Sequence, residues 1–80
     1  MTPEEILQRL QPIMHQVFQD DRLIVTATLS LEEIPAWDSI SHMALITATE
    51  QAFGCAFSLD ELVKVGSVGD LLTLIRAKLG

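Results

Sequence analysis

Helix-start signals recur along this chain and favour an all-α fold. A residue able to cap a helix stands at four positions, each followed by residues suited to a first helical turn. These positions are Thr2, Asp38, Ser58 and Ser67. Apolar residues recur at spacings of three and four, the period of one helix face. The pattern predicts a small four-helix bundle, with three longer helices at about residues 3–19, 39–53 and 68–79 and a short third helix at about 59–65. The last helix is expected to end at Gly80.

Pro12 falls inside the first predicted helix. A proline there removes the hydrogen bond to the Gln8 carbonyl and crowds that turn. We therefore expect a kink or a short break at this point.

The segment from Asp20 to Trp37 shows no helical period. Its β-branched run, residues 23–29, has strand propensity, but nothing else in the sequence offers a partner strand. We therefore expect a long ordered loop without regular structure between the first two helices. Loops of this length are unusual in a small domain and often have a function. Its apolar anchors would be Leu29, Leu31, Ile34 and Trp37.

Size and charge limit the function. The 80 residues carry five basic and eleven acidic side chains, a formal charge of −6. A chain of this length makes one domain, residues 1–80, with a small core that disfavours an enclosed active site. An acidic chain lacks the positive surface that suits nucleic acid or an anionic membrane, so we expect basic protein partners. The longest uncharged stretch, residues 39–49, is shorter than the roughly 20 residues that span a bilayer.

Cys55 is the only cysteine, so an internal disulfide cannot form. We expect a cytoplasmic monomer that rests on apolar packing and has no signal peptide. The two histidines, Cys55 and the carboxylates show no paired metal-ligand spacing. We therefore predict no metal site and no catalytic residues.

Ser39 directly follows the predicted cap Asp38. The first N–H groups of a helix are unpaired and the helix dipole favours negative charge, so a phosphate ester at Ser39 would be stabilised. A hydrolase is not indicated, because the chain lacks a G-x-S-x-G motif and the nearest base, His42, has no orienting acid. The alternative is an ordinary first-turn serine.

The residues around this serine resemble a known signature. The run Trp37-Asp38-Ser39-Ile40 is similar to the D-S-L motif of acyl carrier proteins, and residues 50–54 resemble the E-x-x-F-G that closes their second helix. Residues 57–61 and 67–71 resemble the family's entries into its third and fourth helices. The resemblance covers residues 4–79.

This resemblance implies a carrier rather than an enzyme. A phosphopantetheinyl transferase would attach 4′-phosphopantetheine from coenzyme A to Ser39, with Asp38 as part of the motif and Ile40 beside it. His42 would either be exposed or hydrogen-bond the phosphate of the arm. The arm would hold acyl groups as thioesters for acyl-loading, condensing or transferring enzymes of a fatty acid, polyketide or other specialised pathway.

The second helix divides into two faces by its period. The inner face would hold Leu45, Ala48, Thr49 and Phe53. The outer face, toward partner enzymes, would hold Ile40, Met43, Ala44, Thr47, Glu50 and Gln51. In the family that this chain resembles, carriers of primary fatty acid synthesis have an acid-rich second helix; this chain departs from them, because Glu50 is the only acid of the helix. We therefore expect recognition through shape more than through charge.

Two alternatives remain open. Residues 34–37 and His42 resemble stand-alone carriers beside polyketide, nonribosomal peptide or cell-envelope pathways, so the cargo could be aminoacyl or peptidyl. A cleft between helices would help to choose it, and its candidate lining is Leu45, Phe57, Leu62 and Val65. A small helical interaction domain without a prosthetic group would use the same outer face, and Ser39 would then be dispensable.

Overall fold

The computed structural model describes residues 2–79 and places four α-helices within them. They are α1 (Pro3–Phe18), α2 (Ser39–Phe53), α3 (Leu59–Lys64) and α4 (Val68–Leu79). The predicted all-α bundle with a short third helix is confirmed. The predicted helix end at Gly80 lies outside the described residues.

The core is built from the apolar faces of the three longer helices. The buried stripe of α1 consists of Ile6, Leu10, Met14 and Phe18. α2 adds Leu45, Ile46 and Phe53, and α4 adds Val68, Leu71, Leu72 and Ile75. α3, described in full, buries none of its side chains. Within residues 2–79, no helix combines the length and the apolar character needed to cross a membrane.

Reciprocal hydrogen bonds between the capping residue and the third helical residue begin all four helices. Thr2 Oγ1 accepts from the Glu5 backbone N–H at 3.2 Å, and the Glu5 carboxylate accepts from the Thr2 N–H at 2.9 Å. The same exchange joins Ser58 with Glu61 and Ser67 with Asp70. These pairs satisfy N–H groups that have no partner inside the helix.

α1 continues through Pro12, so of the predicted kink or short break at this residue the break is wrong and the kink stays a prediction. Pro12 and Gln8 both lie on the exposed face of α1, where water can solvate the Gln8 carbonyl that loses its partner. The helix ends at Phe18, one residue before the predicted end. Gln19 adopts the left-handed conformation there, with φ 54°, and its N–H turns back to the last carbonyls of α1.

The loop between α1 and α2 was predicted to be ordered but without regular structure. It contains two short regular elements, so the second part of this prediction is wrong. Residues 31–33 form a 3₁₀ turn, and a single antiparallel bridge pairs Ser30 with Ser67. Beside that bridge, the Leu31 N–H donates to the Gly66 carbonyl at 3.0 Å. The turn between α3 and α4 therefore supplies the backbone partner that the sequence did not reveal.

The apolar anchors of this loop lie where the sequence predicts them. Leu31 and Ile34 are buried, and Leu29 and Trp37 pack partly against the core. Val25 is a further buried anchor that was not predicted.

Polar contacts also fasten the loop. Gln11 Nε2 donates to the Val25 carbonyl at 2.7 Å, and His15 Nε2 lies 2.7 Å from the Leu23 carbonyl oxygen. At the start of α4, a Cβ on Gly69 would lie 2.8 Å from the Ala27 carbonyl oxygen. The loop backbone therefore depends on contacts with both α1 and α4.

Candidate functional site

Ser39 is the first residue of α2, and its side chain is exposed. Asp38 caps the helix as predicted: its Oδ1 accepts from the Ser41 N–H at 2.8 Å. Ser41 Oγ in turn accepts from the Asp38 N–H at 2.8 Å. Sequence reasoning missed this second bond, because the third helical position usually holds Glu or Gln in such a box.

The hydrogen bond from the Ser41 backbone lowers the pKa of Asp38 below its ordinary value, and the Ser41 side chain acts in the same direction. Asp38 is therefore ionised at neutral pH. Its charge is directed at the first turn of α2, where the helix dipole favours an anion.

The two serines of this turn differ in how far their hydroxyls are committed. Ser41 Oγ accepts the Asp38 N–H and also lies 3.1 Å from the Asp38 carbonyl and 3.3 Å from the Ala36 carbonyl. Its proton is therefore directed into the protein. Ser39 instead presents an exposed side chain, so it is the more accessible hydroxyl for modification.

A cleft of about 380 Å³ opens beside Ser39. Its walls come from α2, α3 and the end of the long loop, and the surface is mostly apolar. The lining residues are Leu31, Glu32, Trp37, Ser39, His42, Met43, Leu62, Val63, Val65 and Gly66. An exposed hydroxyl at the edge of an apolar cleft suits a covalently attached phosphopantetheine chain.

The cleft lies partly where the sequence predicts it. Leu62 and Val65 line it, as expected. Leu45 does not, because its side chain is fully buried in the core. Phe57 is half-buried outside the lining, so the cleft lies nearer to Ser39 than predicted.

His42 points inward, so the prediction that it is an exposed histidine is wrong. Its side chain is only 8% exposed. Trp37 Nε1 donates to His42 Nδ1 at 3.3 Å, and His42 Nε2 lies 3.1 Å from the Leu62 carbonyl oxygen. Both ring nitrogens therefore have protein partners. A bond from His42 to the phosphate of an arm stays a prediction.

The outer face of α2 is apolar at its beginning. Ile40 is 81% exposed and Met43 is 49% exposed. Ala44, Thr47 and Gln51 are also exposed, as predicted. The inner-face predictions Leu45, Thr49 and Phe53 are buried, whereas Ala48 is half-buried.

Glu50 differs from the prediction that it faces partners. Its side chain is half-buried, and its carboxylate accepts from the Phe57 N–H at 2.8 Å. The turn after α2 folds back over this end of the helix, which explains the burial. Glu50, the one acid of α2, therefore stabilises the segment between α2 and α3, and its carboxylate does not extend freely from the outer face.

Comparisons with known proteins agree on one family. The family of the phosphopantetheine attachment site matches residues 8–75. The acyl carrier protein of Lactobacillus johnsonii is 29% identical over 77 residues, which cover 96% of each chain. That of Lactobacillus acidophilus is 28% identical over 80 residues, which cover 100% of each.

A solved structure gives the same result. The solution NMR structure of holo acyl carrier protein from Geobacter metallireducens matches with a TM-score of 0.84 and 46% identity. The match covers 92% of this chain and 85% of that one. The chain therefore belongs to the acyl carrier protein family, whose members are carriers with a covalently attached phosphopantetheine group and not enzymes.

Proposed function

We propose that Ser39 carries the phosphopantetheine arm and that the chain presents acyl groups on it to partner enzymes. The observation that carries this proposal is the contrast between an exposed Ser39 at the edge of a cleft and a Ser41 committed to the helix cap. When bound, the arm supplies a terminal thiol that holds an acyl group as a thioester. An interaction domain without a prosthetic group does not agree with the family assignment.

The residues around Ser39 have separable tasks in this proposal. Asp38 fixes where α2 begins and so holds Ser39 in the first turn, where the helix dipole stabilises a phosphodiester. Ile40 projects outward beside the attachment point. His42 lines the cleft, so the arm would contact the edge of its ring.

We propose that the phosphopantetheinyl transferase and the acyl-loading, condensing or transferring enzymes dock on the outer face of α2. Its exposed residues are uncharged, and they are Ile40, Met43, Ala44, Thr47 and Gln51. Glu50 lies at the edge of this face with its carboxylate already bonded. Apolar contact of modest area suits partners that bind and release in turn.

We further propose that the chain works as a monomer in the cytoplasm, in a fatty acid, polyketide or other specialised pathway. The single cysteine supports a reducing compartment, since no internal disulfide is possible. Burial and the nearby Glu50 charge raise the pKa of the Cys55 thiol, which keeps it in its less reactive protonated form.

Intact-protein mass spectrometry tests the attachment site. The purified chain is incubated with coenzyme A and a broad-specificity phosphopantetheinyl transferase. We expect the mass to rise by one phosphopantetheine group in the wild type and in Ser41→Ala, but not in Ser39→Ala. A wild type that gains no mass, or a gain that survives Ser39→Ala, would contradict the proposal.

A further inference from the structure

His42 joins two parts of the molecule that border the cleft. It lies one turn after Ser39 on α2, and its ring is almost completely buried. On one side the ring meets the indole of Trp37 edge to face, with the centroids 5.9 Å apart and the planes at 81°. On the other side it reaches the Leu62 carbonyl of α3.

The hydrogen bonds fix the tautomer of this ring. An indole N–H can only donate, so His42 Nδ1 must be the acceptor of the 3.3 Å bond from Trp37. The neutral imidazole then carries its proton on Nε2. That proton is directed at the Leu62 carbonyl oxygen, 3.1 Å away.

The Leu62 carbonyl can accept a hydrogen bond from a donor outside α3. It lies in the last turn of α3, where carbonyls have no complete set of partners inside the helix. It accepts a bond from the Val65 N–H at 3.3 Å and has a second lone pair for His42. His42 therefore acts as a side-chain cap that α2 provides to α3.

Other attachments of α3 are weaker or lie elsewhere. Leu59 and Val63 are 71% and 67% exposed, so they add little packing, whereas Leu62 is half-buried and packs partly against the core. The 2.9 Å ion pair between Glu61 and Lys78 is about one-third exposed on both sides, and such pairs contribute little. Glu50 fastens the start of α3 only through Phe57. The His42 bond is thus a shielded polar link at the end of α3 that faces the cleft, beside the packing of Leu62.

We propose that His42 is a positioning residue of the carrier site. In its Nε2–H tautomer, fixed by Trp37, it holds the end of α3 against the helix that begins at Ser39. The cleft is lined by His42 itself and by Leu62 and Val63, so this bond sets the separation of its two helical walls. The importance of this bond for the cargo rests on the proposed function, whereas the bond between His42 and Leu62 is independent of that function.

Amide–water exchange measured by NMR on the unmodified full chain tests the proposal. His42→Phe keeps an aromatic ring of similar size but removes both hydrogen bonds. We expect exchange at the Leu62 and Val65 amides to accelerate about tenfold, the effect of losing one hydrogen bond, while the core amides of α1 and α4 change little. Unchanged exchange in α3, or an equal acceleration in all four helices, would overturn the proposal.

His42→Gln is the conservative control. Its amide nitrogen can donate to the Leu62 carbonyl and its amide oxygen can accept from Trp37. We expect it to restore most of the protection that His42→Phe removes. If Gln behaves like Phe, a hydrogen-bonding role is overturned in favour of simple packing.

The ring nitrogens of His42 give a second test, whose main measurement is made on the wild type. A long-range ¹H–¹⁵N spectrum of the neutral ring should show Nε2 protonated and Nδ1 unprotonated at His42. In Trp37→Phe the preference should weaken toward a mixture of tautomers. An Nδ1–H tautomer in the wild type would overturn the proposal. Because the protein in these measurements is unmodified, a failure to load Ser39 would leave their outcome unaffected.

Discussion

α1 and α3 begin with the same reciprocal cap, yet different forces hold them to the molecule. α1 buries four side chains in the core, whereas α3 buries none. α3 is held by the partial packing of Leu62 and by polar contacts to His42 and Lys78. Burial of apolar surface contributes in proportion to area, whereas an exposed ion pair contributes little. A cap therefore decides where a helix begins, and packing decides whether it unfolds only with the whole domain.

The largest effect should come from the core of α1. Leu10 is fully buried, so Leu10→Ala should lower the free energy of unfolding by about 2–5 kcal/mol. Val63→Ala on the exposed side of α3 should change it by less than about 0.5 kcal/mol. Urea unfolding followed by circular dichroism measures both. Similar losses for the two variants would break the comparison.

A smaller effect is expected where the loop presses on α4. In Gly69→Ala the new Cβ would lie 2.8 Å from the Ala27 carbonyl oxygen, and relieving this clash should cost about 1–3 kcal/mol of unfolding free energy. Gly66→Ala is the matched control, because its nearest contact would be the Asp70 carboxylate at 3.8 Å. The same urea experiment decides between them. A Gly69→Ala variant as stable as Gly66→Ala would show that the loop yields freely.

The caps themselves sharpen the comparison. Ser58→Ala should cost about 1 kcal/mol, and because α3 has no fully buried side chain, the loss should appear as local opening of α3. Thr2→Ala should fray only the first turn of α1, since the core holds the rest. Residue-specific amide exchange reports both. If Ser58→Ala accelerates exchange in α1 and α4 as much as in α3, then α3 unfolds with the whole domain.

Acid should reveal the smallest difference. The Ser58 backbone N–H, followed by the hydrogen bond from Lys78, lowers the pKa of Glu61 below its ordinary value of 4.5. The stabilisation from Glu61 is therefore complete above about pH 4.5 and is lost as the pH falls through the lower folded-state value. NMR shifts of α3 should move in this range before those of the buried face of α1.

The control for the acid experiment is the neutral isostere of Glu61. Glu61→Gln cannot lose a charge, so the acid-induced change in α3 should shrink. Glu5 has a lowered pKa from the equivalent bond to Thr2, and this makes α1 a fair internal reference. An α1 that opens at the same pH as α3 would argue against packing as the distinction.

Signals confined to neighbouring residues could be predicted from the sequence. The caps at Thr2, Ser58 and Ser67 connect residues three apart, so residue types and spacing reveal them directly. The apolar period identified the core face of α1. The position of Ser39 in the first turn of α2 could be predicted because it directly follows Asp38, and the family resemblance singled it out as the attachment residue.

Contacts between distant residues could not be predicted in the same way. His42 bonds to Leu62, twenty positions later, and neither residue type signals the other. The bridge between Ser30 and Ser67 likewise depends on how the chain returns. Gln19 ends α1 in a conformation that usually favours glycine, so its residue type gave no warning.

Trp37 gives this protein a built-in optical probe. It is the only tryptophan, the chain has no tyrosine, and its indole lines the cleft beside Ser39. Excitation of the indole therefore reports from one place in the molecule. Loading of the arm, entry of cargo into the cleft and separation of α3 from α2 should each alter that emission without any attached dye.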